Sequence, residues 1–231
     1  MKAIKQLTIL FLFSLVSQIG YSQETIKTFT LKKGEVLDIL LVERKPNIEK
    51  EYKRYRETAF TVAVKESFKL LQASGTSNLQ GNIEPNVFII GKWDNLEKRE
   101  FFLTDIYTKV PDFDEQRRTI FSIFNLTYYE MPKDVTFSIN KEKYNVATAY
   151  WKKDDKNFDS FLKEYKKESK TSGGKTVVEL INGKSPFKYY YNPDYFVITE
   201  WDSKEEFEEF HKKNNKMDTE GLLNVNQFLI K

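Results

Sequence analysis

This 231-residue chain says one thing twice, and that repeat constrains its fold more than any single motif. "VFIIGKWDNLEKREFF" (87–102) reappears as "YFVITEWDSKEEFEEF" (195–210), which puts Trp93 and Trp201 108 residues apart. At the same offset Pro85 meets Pro193, Phe88 meets Phe196, Ile90 meets Ile198, Asp94 meets Asp202 and Phe102 meets Phe210. The flanks align too. "FTLKKGEVLDILLVER" lies against "FSINKEKYNVATAYW", "IEKEYKRY" against "FDSFLKEY", and "IFNLTYYEM" against "LLNVNQFLI". A duplication on this scale is read before any local signal, because it sets the architecture.

Each unit reads in the same order. "LDILLVE" or "YNVATAYW" alternates as a strand, and Ile48, Tyr52 and Tyr55, or Phe158, Phe161, Leu162 and Tyr165, recur at helical spacing. "SFKLLQASG" or "KTVVELING" is a second strand ending at a turn glycine, Gly75 or Gly183. A loop, a third strand ending at Trp, a second helix and a last strand complete β-α-β-β-α-β, the ferredoxin-like order. Asp94 and Asn95, and Asp202 and Ser203, are placed to cap the second helices, with Phe207 and Phe210 on one face. Most of the repeated motif is thus a strand-to-helix joint.

The third strands are apolar at neighbouring positions, so both of their faces require burial, yet the two helices of a unit cover only one. The sequence therefore predicts an α+β protein in which two tandem ferredoxin-like units, 23–131 and 132–231, form an intrachain pseudo-dimeric α/β barrel with helices outside.

The remaining segment is the N-terminus. "MKAIKQ" is basic, "LTILFLFSLV" is a short apolar core, and Gly20 and Ser22 stand three and one residues before a cleavage point. Residues 1–22 read as a secretory signal peptide, too short in their apolar part to span a bilayer. Export to the periplasm or the extracellular space is the expectation. Cleavage removes Lys2 and Lys5 and no acid, lowering the net charge from +3 to +1. A nearly neutral surface argues against nucleic acid or, after cleavage, a membrane as partner. There is no cysteine, hence no disulfide or thiolate chemistry.

The layout, with the joint in "TEWDSKEEFEEF", resembles the dimeric α/β-barrel superfamily, and within it the antibiotic-biosynthesis-monooxygenase proteins and related domains of unknown function. Members usually pair two chains. The resemblance implies that this tandem chain supplies both halves itself, as a monomer with internal pseudo-two-fold symmetry. The units have diverged, with Leu103 against His211, Gly91 against Thr199 and Lys92 against Glu200. Haem-degrading members carry a histidine about ten residues beyond an aromatic of the second helix, a spacing that falls near Glu220 here if Phe210 is that aromatic. No cofactor is expected on that ground, and the sequence shows no zinc cluster, phosphate loop or Ser-His-Asp set.

His211, in "EEFHKKNN", is the lone histidine. It reads either as a surface residue of a charged helix or as a general base at the barrel mouth. With 13 Tyr, 19 Phe and 3 Trp, aromatics make up 15% of the chain, enough to fill a barrel or to line a pocket for a flat organic ligand. Tyr189, Tyr190 and Tyr191, just before the third strand of the second unit, and Tyr150 and Trp151, at the end of its first, are the ligand-binding candidates. His211 and Tyr190 are the catalytic candidates, and Asp202 is a control expected to act through its helix cap. Three functions follow: a binder of a small apolar or aromatic molecule, a cofactor-independent monooxygenase or isomerase as the resemblance implies, and a structural or interaction module with a filled barrel.

Overall fold

The computed structural model describes residues 25–186 and 191–231. Residues 1–24, with the signal-peptide reading, and 187–190, with Tyr189 and Tyr190, lie outside the described residues.

Among the described residues, ten strands form two sheets. A ribbon of β1 (Ile26–Leu31) and β6 (Val135–Asn140) stands apart, pairing antiparallel with Phe29 opposite Phe137. The main sheet contains β2 (Val36–Arg44), β3 (Lys69–Gln80), β4 (Val87–Trp93), β5 (Phe121–Glu130), β7 (Tyr144–Lys152), β8 (Lys175–Ile181), β9 (Tyr195–Trp201) and β10 (Leu222–Ile230). Its order is β5-β2-β4-β3-β10-β7-β9-β8, with antiparallel neighbours. Each half orders its strands fourth, first, third, second. The halves meet where β10 pairs with β3, and the sheet's ends are joined by the bridge between Tyr128 and Lys184.

The helices are α1 (Glu49–Tyr55), α2 (Thr61–Lys65), α3 (Leu96–Lys109), α4 (Phe113–Ile120), α5 (Asp155–Thr171) and α6 (Lys204–Asn214). A π-helical turn, Arg56–Phe60, joins α1 to α2. Among the described residues, no helix is long and apolar enough to cross a membrane.

Strand alternation sorts the side chains into three cores. Leu37, Ile39, Leu41, Phe88, Ile90, Phe196, Ile198 and Phe228 turn inward, and Phe29, Leu31, Phe137 and Ile139 of the ribbon join them. Phe88 lies 6.5 Å from Phe196 and 5.7 Å from Phe228, ring to ring, so the interior is occupied by its own side chains. The opposite faces pack under the helices, Trp93, Phe102 and Phe113 in one half and Trp201, Phe207 and Phe210 in the other. Both faces of β4 and β9 are thereby buried, as their apolar runs require.

Three details depart from the sequence reading. β3 does not stop at Gly75 but runs on to Gln80, because Thr76, Ser77 and Asn78 find partners on β10. The caps of α3 and α6 are Asn95 and Ser203, whose side chains accept from Lys98 N (2.9 Å) and Glu206 N (3.2 Å). Asp202 instead meets Lys143 Nζ at 2.7 Å on the surface, so it does not serve as a probe of the cap.

Candidate functional site

The outward face of β2 presents Asp38, Leu40, Val42 and Arg44 at alternating positions, while Leu37, Ile39 and Leu41 face the interior. Above that face, beneath α1, α2, α3 and α4, lies a cavity of about 130 Å³. Its walls are apolar, with Leu40, Val42, Ala59, Ala63, Phe68 and Phe102 among them.

The sequence builds this space with small residues and one irregularity. Ala59 and Phe60 belong to the π-helical turn, and Ala63 follows on α2. A π turn inserts one extra residue into a helix and concentrates at functional sites. The matching helix of the other half, α5, runs 17 residues without interruption. Phe68 packs its ring over Gly91, where a Cβ would strike it.

The polar part of the wall is charged. Asp38 and Arg99 are 2% and 1% exposed. Arg99 Nε donates to Asp38 Oδ1 at 3.0 Å, and Trp93 Nε1 donates to Oδ2 at 2.9 Å. The guanidinium lies 5.0 Å from the Trp93 ring centroid and 4.9 Å from that of Tyr128, which fixes its plane. Burial holds the Asp38 carboxyl above the usual carboxylate range, against the opposing pull of Arg99 and Trp93. The Tyr128 hydroxyl, donating to Glu100 Oε1 at 3.1 Å, is pushed up to about 12 by burial and by that carboxylate. Further along β2, Arg44 stacks on Tyr52 at 4.8 Å, and Arg117 of α4 sits 3.6 Å from the Phe124 ring centroid.

The C-terminal half packs the same layer differently. By strand register Tyr150 stands where Val42 does, and Val146 where Asp38 does. Tyr150 is wedged against Phe161, Tyr165 and Tyr195 at 5.0, 5.4 and 6.5 Å. Phe207, 108 residues after Arg99, packs on Trp201, whose Nε1 donates to Thr199 Oγ1 at 3.1 Å.

Of the residues singled out from sequence, Tyr150 is 1% exposed beneath the helices. Trp151 is on the opposite face of β7 and meets Tyr191 edge-on at 5.0 Å. Tyr191 is buried in the interior core, donating to Asn226 Oδ1 at 3.1 Å. The fold therefore brings Trp151 and Tyr191 into ring contact, with Tyr150 across the sheet from them. His211 is half-buried on α6, its ring stacked on Phe207 at 5.5 Å. None of these four lines the N-terminal cavity. Among the described residues, no cluster of His, Cys, Asp and Glu is placed to hold a metal ion. What sequence reasoning passed over was the lone acid in "VLDILLV" and Val42, which stands opposite Tyr150 at the 108-residue offset.

Burial lowers the His211 pKa below 6.5, outweighing the opposite effect of Glu208. The unfolded chain then takes up the proton first, so stability is lost as pH falls from 6.5 through the folded value. His211→Leu, which copies Leu103, is expected to lose less stability than the native protein between about pH 7.5 and pH 5.5. Urea unfolding at the two pH values measures this, and equal losses would refute it.

No protein-family model matches the sequence, and no curated protein matches it. Among solved structures, an anthrone oxidase-like protein aligns with a TM-score of 0.50 at 14% identity, over 88% of this chain and 94% of that one. Chlorite dismutase from Candidatus Nitrospira defluvii, in complex with imidazole, aligns with a TM-score of 0.51 at 10% identity, over 87% and 92%. The chain shares its α+β fold, an antiparallel sheet with helices packed on it, with these two proteins. At these identities the likeness is one of fold, and a shared fold carries no chemistry of its own.

Proposed function

We propose that this chain is an exported small-molecule-binding protein whose ligand, about the size of one aromatic ring, sits in the cavity of the N-terminal half. In this reading residues 1–22 are a cleaved signal peptide, and residues 23–131 and 132–231 are two copies of one ferredoxin-like unit. The copies complete each other's barrel within a single chain, which works as a monomer without nucleic acid or membrane.

One observation carries the binding role. Equivalent layers of the two halves are built to opposite ends, one filled by Tyr150, Phe161 and Tyr165, the other left with a cavity of about 130 Å³ under a π-helical turn. Apolar walls left without packing partners forfeit dispersion energy, and an apolar cavity of about 150 Å³ takes up benzene. An interaction module with a filled barrel accounts for the packed interior but not for the void in the helical layer.

The monooxygenase or isomerase alternative needs a base on the cavity wall. Asp38 is the carboxylate there, yet both of its oxygens already accept, from Arg99 and from Trp93. That arrangement favours holding a ligand over taking its proton.

The test uses the mature chain from Gln23 onward, with toluene as probe. Toluene is expected to raise the unfolding temperature of the native protein and to leave that of Val42→Tyr unchanged, since the variant copies the ring that fills the other half. No effect on the native protein, or an equal effect on both, would overturn the reading.

A further inference from the structure

The arginines on the cavity wall point to the kind of ligand. The lining includes three of them, Arg44, Arg99 and Arg117, against one carboxylate, Asp38. Arg99 is the most constrained. Its guanidinium carries five N–H donors in one plane, and that plane is fixed between Trp93 and Tyr128. Nε is committed to Asp38, while Nη1 is buried with no hydrogen-bond partner. A buried charged donor left unpaired is costly, and native structures retain few such groups without a role.

Along the same strand face, Arg44 Nη2 reaches only the neutral Tyr52 hydroxyl, at 3.4 Å, and its Nε is buried without a partner. The one carboxylate named in the lining is already committed to Arg99 and Trp93. The C-terminal half, where Tyr150 fills the layer, carries Val146 and Phe207 at the positions of Asp38 and Arg99. The buried ion pair is therefore present in the half whose helical layer holds this cavity and is replaced by apolar residues in the half whose layer Tyr150 fills.

We propose that the ligand is a small apolar anion, a single ring or a chain of similar bulk bearing a carboxylate or phenolate oxygen, which accepts from the free edge of Arg99. This rests on the cavity being a binding site, as argued above. Asp38 is then a positioning residue. Its carboxylate and the two flanking rings orient the guanidinium so that its unused edge is offered to the ligand, and a charge-assisted bond there adds both strength and direction.

The experiment compares benzoate, toluene and benzylamine on the mature chain at matched ionic strength, by calorimetric titration. These probes share a ring and differ in charge. Benzoate is expected to bind at least about tenfold more tightly than toluene, and benzylamine more weakly than either. In Asp38→Val/Arg99→Met, which removes both charges together, the preference for benzoate over toluene should vanish while toluene binding persists. Arg99→Lys keeps the charge without the fork and should lose most of the preference. It serves as the deciding variant if the double substitution does not fold.

Toluene binding the native protein as well as benzoate does would overturn the anion assignment and leave the cavity reading standing. A benzoate preference that survives loss of the Arg99 fork in the variant that folds would also overturn it, placing the anchor at Arg44 or Arg117. Failure of all three probes to bind would instead sink the cavity reading itself.

Discussion

Arg99→Met, made alone, is expected to destabilise the protein by about 3–5 kcal/mol. The substitution leaves the Asp38 carboxylate 2% exposed with its cation removed, keeping only the Trp93 indole donor. It also strips a guanidinium from between two aromatic rings. Adding Asp38→Val should recover most of the loss, since exchanging a buried ion pair for apolar side chains is often near neutral. The C-terminal half already accommodates Val146 and Phe207 at these places, which makes such recovery structurally reasonable. Urea denaturation of the two single variants and the double variant closes the cycle. Strict additivity of the single losses would show that Asp38 and Arg99 act independently, contrary to their 3.0 Å contact.

Phe88→Ala is the second change of this size, with an expected cost of about 3–5 kcal/mol. Phe88 is fully buried at the centre of the barrel and neighbours Phe196 and Phe228 from the other half. Those rings are held by different strands, β9 and β10, so they cannot close together over the space a deleted ring leaves. The loss is read in the urea midpoint. A cost near 1 kcal/mol would mean that the interior collapses readily and that the barrel's centre is softer than its packing implies.

These two sites differ in how they could be read from sequence. Phe88 and Phe196 stand at one offset inside matching apolar strands, so periodicity and repetition together assign them to a buried face. The barrel interior and the helical layers follow the same logic. The cavity does not, because it depends on what is missing beneath the helices: a valine where the partner strand has Tyr150, an alanine on a helical turn, a ring lying over Gly91.

Aromatic abundance drew attention to Tyr150 and Tyr191. In the structure they are packed, since a large ring serves equally well to fill a layer and to line a pocket. Composition cannot separate those two uses. The π-helical turn was equally hidden, because "RETAF" reads as ordinary helix and the extra residue shows only in the hydrogen-bond pattern. At the 108-residue offset Asp38 stands against Val146 and Arg99 against Phe207, so the exchange of a charged pair for an apolar one is legible in the sequence.

The position of β10 bears on the order in which this molecule comes into being. This strand, which follows all the others described, lies in the middle of the sheet, between β3 and β7, and the backbone N–H of Lys231 bonds to the Gly75 carbonyl at 2.9 Å. The β3 edge stays open until β10 is made, although β6 can already pair with β1 across the halves. Pairings such as Phe228 with Asn78 link residues far apart in the chain, and contacts of that kind slow folding. During synthesis the β3 edge therefore stays unpaired until residues 222–230 have been made, and the sheet becomes continuous only then.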